Sequence, residues 1–237
     1  MLRSIKQFNG DRLEATDGEI GHVKDFYFDD RNWAVRYVAA DTGLWLTGRQ
    51  VLISPPAFRR LLQLEKVLRV NLTKKQIEEC PALETHKTVS RQYEEEYHRH
   101  YGWPYYWQGD ALWGMSGVPL MELPDRPLPV ESAQAHGASQ AKADAHLRST
   151  QAVAGYAVQA NDGPTGHVCD FMMDSQSWQI HQLVIKIGHR FSGKEVRVPA
   201  SKVSRISYEE STVLLNMTKE AIEQSSTEES TAVNALV

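Results

Sequence analysis

Asp17-Gly18-Glu19-Ile20-Gly21-His22-Val23-Lys24-Asp25-Phe26 returns as Asp162-Gly163-Pro164-Thr165-Gly166-His167-Val168-Cys169-Asp170-Phe171. The second stretch follows the first at a constant offset of 145 residues, which takes His22 to His167, Trp33 to Trp178 and Asn71 to Asn216. No gap is needed from Gly10/Gly155 to Asn71-x-Thr73-Lys74 and Asn216-x-Thr218-Lys219. The chain is therefore a duplicated module, and residues shared by both copies report what the module needs. Asp17, Gly18, Gly21, His22, Asp25 and Trp33, with Asp162, Gly163, Gly166, His167, Asp170 and Trp178, form that structural signature.

Working outward from the signature, β-rich runs alternate with turn residues. His22 to Phe28 precedes the turn Asp29-Asp30-Arg31-Asn32, and Trp33 to Ala39 follows it. Gly43 and Gly48 bracket Leu44-Trp45-Leu46, and Gln50 to Ile53 runs into Pro55-Pro56. Valine, isoleucine and aromatic residues between Gly, Asp, Asn and Pro at this spacing predict an all-β barrel or sandwich. A glycine kept in both copies marks a positive-φ turn or a corner where a Cβ would clash. Each copy closes with one short helix, capped at Thr73 with Gln76 completing a capping box, and at Thr218 without one.

Composition narrows the function classes. Of the 237 residues 26 are basic and 30 acidic, for a net charge of −4, which argues against wrapping bare nucleic acid through a broad basic surface. By the offset Cys80 aligns with Ser225 and Cys169 with Lys24, so neither copy holds an internal disulfide and free thiols in a reducing compartment are expected. Met1 to Lys6 lacks an apolar signal core and no stretch is apolar for long enough to span a membrane, so the expectation is a soluble cytoplasmic protein. There is no Gly-x-Gly-x-x-Gly, Walker loop, His-Glu-x-x-His or Cys-x-x-Cys, and Gly114-Met115-Ser116-Gly117 lacks the closing glycine of a nucleophile elbow. The sequence points to no catalytic residues, no metal and no cofactor.

The repeated acids and histidines have ordinary explanations. Residues i and i+3 of a strand face opposite ways, so His22 and Asp25 meet only across a bulge. Asp17 before Gly18 and Asp29 at its turn are expected to bond local backbone amides. His98-x-His100 after Glu94 to Glu96 has no further ligand cluster to complete a metal shell.

Residues 84–148 have no counterpart in the repeat. Thr88 to Tyr101 reads as a helix with Tyr93 and Tyr97 one turn apart, 131–148 as flexible, and the tail from Ser225 as mobile. Between them lie Tyr101, Trp103, Tyr105, Tyr106, Trp107 and Trp113. These rings either pack across the two copies or form a partner interface, since tryptophan and tyrosine dominate binding hot spots. Internal packing is the favoured expectation, because so many exposed rings would be a liability.

The signature, together with Asp41-Thr42-Gly43-Leu44-Trp45-Leu46-Thr47-Gly48-Arg49-Gln50-Val51-Leu52-Ile53-Ser54-Pro55, resembles the PRC-barrel family. That family includes the cytoplasmic domain of the photosynthetic reaction-centre H subunit and the C-terminal domain of the ribosome maturation factor. In the second copy the Trp-Leu-x-Gly and Ser-Pro elements have decayed to Phe191-Ser192-Gly193 and Pro199-Ala200. The resemblance implies a mainly β chain of two small closed barrels in tandem, each followed by a short helix: residues 1–83 and 149–226, an aromatic linker at 84–148, and a disordered tail at 227–237. It implies a non-catalytic protein that binds or organises a protein complex. Two alternatives follow: a ribosome- or RNA-associated assembly factor using Arg59, Arg60, Lys66, Arg69, Lys74 and Lys75, and a proton-relay or metal accessory protein.

Overall fold

The computed structural model describes residues 1–47, 49–59, 66–84, 89–119, 147–188 and 193–225. The expected flexible stretch up to residue 146 and the tail from 226 lie outside them, as do Gly48, Arg60, Phe191 and Ser192. The fold is mainly β, with two sheets of seven strands each. The first half supplies β1 (Leu2–Ser4), β2 (Arg12–Ala15), β3 (Gly18–Asp29), β4 (Ala34–Asp41), β5 (Arg49–Ile53), β6 (Val67–Arg69), α1 (Lys74–Glu78), β7 (Leu83–Glu84) and α2 (Arg91–Tyr101). The second half supplies β8 (Leu147–Ser149), α3 (Thr150–Val153), β9 (Ala157–Ala160), β10 (Gly163–Asp174), β11 (Ile180–Ile187), β12 (Lys194–Pro199), β13 (Val203–Ser207), β14 (Thr212–Leu215) and α4 (Lys219–Gln224).

Neither sheet is built from one copy alone. The first runs β6-β2-β3-β4-β5-β7, and β8 from the second copy pairs with β3. The second runs β12-β11-β10-β9-β14-β13, and β1 from the first copy pairs with β10. The copies thus exchange their first strands, and Leu147 and Arg148, expected to be flexible, lie in an ordered ladder. At the centre of this arrangement Val35 N–H donates to the Trp178 carbonyl at 2.9 Å and Ile180 N–H donates to the Trp33 carbonyl at 2.6 Å. The two bonds are equivalents under the offset, as are Ala34 and Gln179, which bridge each other. The duplicated chain therefore contains its own approximate two-fold axis, the geometry of a symmetric dimer held in one polypeptide.

The expected closed barrels are not formed. No ladder joins β12 to β13, although the single 3-10 turn Ala200–Lys202 links them in sequence. In the first copy the isolated Phe58–Val70 bridge stands where β13 pairs with β14 in the second, Val203 opposite Leu215. The corner is built by Pro55 and Pro56 in one copy and entered from Pro199 in the other, and proline has no N–H to extend a ladder through these positions.

One hydrophobic core spans both copies. Phe26, Phe28, Val35, Val38 and Phe58 are packed in it with Phe171, Trp178, Leu183 and Val198. Phe28 meets Phe171 at 5.5 Å and Phe58 meets Trp178 at 5.1 Å, ring centre to ring centre, across the two-fold. Alternation along β3 places Phe26 and Phe28 inward, while a register shift between Val23 and Asp25 lets Val23 face the core as well. β10 repeats that shift between Val168 and Asp170.

Candidate binding cleft

The signature residues serve the interlock of the copies. Asp25 is buried and accepts hydrogen bonds from the Ser149 hydroxyl, the Thr150 hydroxyl at 2.9 Å and the Gln151 N–H at 3.1 Å, all in the exchanged segment of the second copy. Asp170 does the same for the first, accepting from the Ser4 hydroxyl and from Lys6 N–H at 3.0 Å. The bulge in each long strand turns these carboxylates toward the incoming strand. Asp29 and Asp174 bond the amides two residues on, at Arg31 and Gln176, as the turn reading expects. Asp17 and Asp162 do not serve their own turns. They accept the first helical N–H of α1 at Lys74 (2.8 Å) and of α4 at Lys219 (2.9 Å), where a carboxylate also meets the positive end of the helix.

Gly21 and Gly166 are required by close approach: a Cβ on either would sit 2.0 Å from the Asp41 carbonyl oxygen or 2.2 Å from that of Lys186. Gly18 and Gly163 hold positive φ. Trp33 and Trp178 also hold positive φ, 54° and 59°, a left-handed conformation that costs a bulky residue roughly 1–2 kcal/mol. Their carbonyls accept the two bonds across the axis, which fixes the conformation. His22 is exposed and His167 half-buried, and neither is bonded to the aspartate three residues on, which is engaged by the exchanged strand. Among the described residues no group of three or more His, Cys, Asp and Glu is placed to hold a metal ion. Of the described basic residues of the candidate set, Arg69 pairs with Glu14, Lys75 with Glu79, and Arg59 bonds Asn71.

The linker folds back on the first copy. Ser90 caps α2, Gly102 ends it in the left-handed conformation, and Tyr93 and Tyr97 lie over Tyr37, Ala39 and Leu52 on the outer face of β4 and β5. The matching residues of the second copy are Gln182, Val184 and Arg197, a different set of side chains, of which Val184 is buried. Beyond α2, Tyr106 and Trp113 are buried in the main core. Between their rings lies the fully buried Arg36 guanidinium, 3.8 Å from the centre of Tyr106 and 4.8 Å from that of Trp113. Arg36 pairs with Asp29 at 3.1 Å and donates to the Leu112 carbonyl at 2.8 Å, while Trp113 Nε1 donates to the Ser177 carbonyl at 2.8 Å. Burial pushes the Asp29 carboxyl up, but the Arg36 charge and the Arg31 and Asn32 bonds outweigh it and hold it below its ordinary value.

A second polar cluster lies behind this one. The Glu94 carboxylate is fully buried, accepts from Tyr106 Oη at 2.6 Å and Tyr37 Oη at 3.2 Å, and pairs with Arg91 at 3.1 Å. Burial first and the Glu94 charge second raise both phenols well above their ordinary value, so they remain donors. His98, also buried, has Nδ1 3.0 Å from the Pro104 carbonyl, which makes Nδ1 the protonated nitrogen and Nε2 a bare acceptor with no partner among the described residues. Burial, reinforced by the Arg36 and Arg91 charges against the Pro104 bond, brings its pKa down to about 4.

Trp103, Tyr105 and Trp107 are only half-buried. Trp103 stacks on Tyr101 at 4.6 Å and Tyr105 on Trp107 at 4.8 Å. Trp107 and Arg91 form one wall of an open cleft of about 1030 Å³. Its other walls are the turn from Asp29 to Trp33 and, from the second copy, Gln179, Ile180, His181, Pro199, Ala200, Ser201 and Val203. A smaller hollow of about 410 Å³ shares Trp33 and Val203 and continues along the open edge of β13 past Arg148 to Tyr208. The sequence reading singled out Trp33 and Trp107, met Glu94 only beside the His98-x-His100 pair, and missed Arg36 and His181, whose signal was that the offset makes them equivalent. No protein-family model and no curated protein matches this chain.

Proposed function

We propose that this chain is a non-catalytic protein of the PRC-barrel type that binds a protein partner and helps to hold a complex together. The observation that carries the reading is the cleft itself, walled by both copies and the linker, with the half-buried rings of Trp33 and Trp107 on its sides. A half-buried tryptophan beside an open cleft gives a large apolar area to a partner at little entropic cost. The interlocked strands support the same role, since a cross-braced body holds such a surface in place. The family resemblance of the repeat signature points the same way. The ribosome-associated and proton-relay readings draw no comparable support: Arg59, Arg69 and Lys75, three of the basic residues that would serve the first, are engaged within the chain, and Asp25 and Asp170 of the second are bonded to the exchanged strands.

The test is capture of a partner by the full chain, then reconstitution from purified components, with Trp107→Ala beside wild type. A stoichiometric complex weakened about tenfold or more by Trp107→Ala is expected. If no purified protein re-associates with the wild-type chain, the reading fails.

A further inference from the structure

Among the described residues the linker occupies one of two equivalent seats. Its seat on the first copy lies around Arg36, Ser54 and Phe58, completed across the axis by Ser177 and Trp178, and every one of these except Ser177 is buried. The offset maps that seat onto His181, Pro199 and Val203 with Asn32 and Trp33, and all five line the open cleft. In the filled seat Trp113 donates its ring N–H to the Ser177 carbonyl, and Leu112 offers its carbonyl to Arg36. In the open seat the corresponding groups are the Asn32 carbonyl and the exposed His181, whose ring N–H can serve the same acceptor. Val203 replaces Phe58, so the ring of Trp33 lacks the cover that Phe58 gives Trp178 and remains half-buried.

We propose that the open seat takes a tryptophan-bearing loop of a partner protein, held as Leu112-Trp113 is held in the filled seat. This rests on the protein-binding reading above and names the chemistry of the contact. The chain itself supplies no spare tryptophan: all six, at 33, 45, 103, 107, 113 and 178, are already placed in the fold. The site is also continuous with the linker's own seat, because Leu112 and Ala111 lie on the wall between the two.

The probe is a synthetic peptide with the sequence of Tyr105 to Ser116, titrated into the full-length protein by calorimetry. One-to-one saturable binding is expected, with loss of about tenfold or more in affinity when the peptide carries Trp113→Ala. Binding should weaken equally in the protein variants Trp33→Ala and Ser201→Trp. Ser201 is exposed on the rim, so Ser201→Trp fills the cleft without touching the core and keeps the test valid if Trp33→Ala unfolds. Absence of saturable binding, or binding indifferent to Ser201→Trp, overturns the proposal. If the peptide fails while a partner still assembles with the full chain in a Trp107-dependent way, the seat assignment falls and the protein-binding reading stands.

Discussion

At the scale of single residues, the decisive groups are polar and buried. Asp25 satisfies two hydroxyls and an amide of the exchanged segment as well as the Phe26 N–H at 2.7 Å. Asp25→Ala strands those donors and should lower stability by roughly 2–4 kcal/mol, since each buried unmet donor costs about 1–3 kcal/mol. Asp170→Ala should cost less, because that carboxylate is only half-buried. Urea midpoints of the two variants check the order. His98 gives a pH dependence of known sign. Its pKa is near 4 in the fold and about 6.5 in the unfolded chain, so the unfolded chain takes up the proton first. The contribution is therefore complete above about pH 6.5 and declines as pH falls toward 4, by roughly 3 kcal/mol in all. Other carboxylates titrate near the bottom of that window, and Arg36, Arg91 and Glu94 all act on the imidazole or its cage. The quantity to measure is therefore the stability of wild type relative to His98→Gln. That difference should shrink between pH 7 and pH 4.5, and a constant difference would show that His98 is not held neutral by the fold. The histidine was visible in the sequence as half of a His-x-His pair. Its burial was not, because the rings that enclose it come from residues 103–107, beyond the end of its helix.

At the scale of elements, glycines and corners set where strands run. Gly21 lies against the backbone of Asp41, and no side-chain rotation relieves a Cβ placed 2.0 Å from a carbonyl oxygen. Gly21→Ala should cost roughly 3 kcal/mol or more, whereas Gly10→Ala, with open space around its Cβ position but φ of 83°, should cost about 1 kcal/mol. Thermal unfolding of the pair separates close approach from backbone conformation. These positions were legible because the repeat retains them. The terminal helices and the turn at Asp29 were legible for the same reason, while the capping box at Thr73, which the second copy lacks, was legible from Thr73 and Gln76 themselves. Closure was not legible. A barrel and an open sheet with a proline corner present the same alternation, and only the missing ladder between β12 and β13 separates them. Divergence between the copies carried more than it first suggests: Tyr37, Ala39 and Leu52, against Gln182, Val184 and Arg197, mark the outer face on which α2 packs.

At the scale of the whole molecule, the exchange of β1 and β8 makes two copies into one body. The constant offset could not reveal this, because a first strand pairs with the same kind of neighbour whether it stays in its own sheet or crosses the axis. The described part of the linker then breaks the symmetry: α2 packs on the first copy, and the seat equivalent to that of Trp113 lines an open cleft. With a single core and reciprocal strands, the copies are expected to unfold together. The central claim is the exchange, and inter-strand nuclear Overhauser contacts in the full-length protein test it most directly. Contacts should join Arg3 to Met173 and Arg148 to Phe28, the paired residues of β1 with β10 and of β8 with β3. Contacts joining Arg3 to Phe28 and Arg148 to Met173 instead would place each first strand in its own sheet and contradict the account.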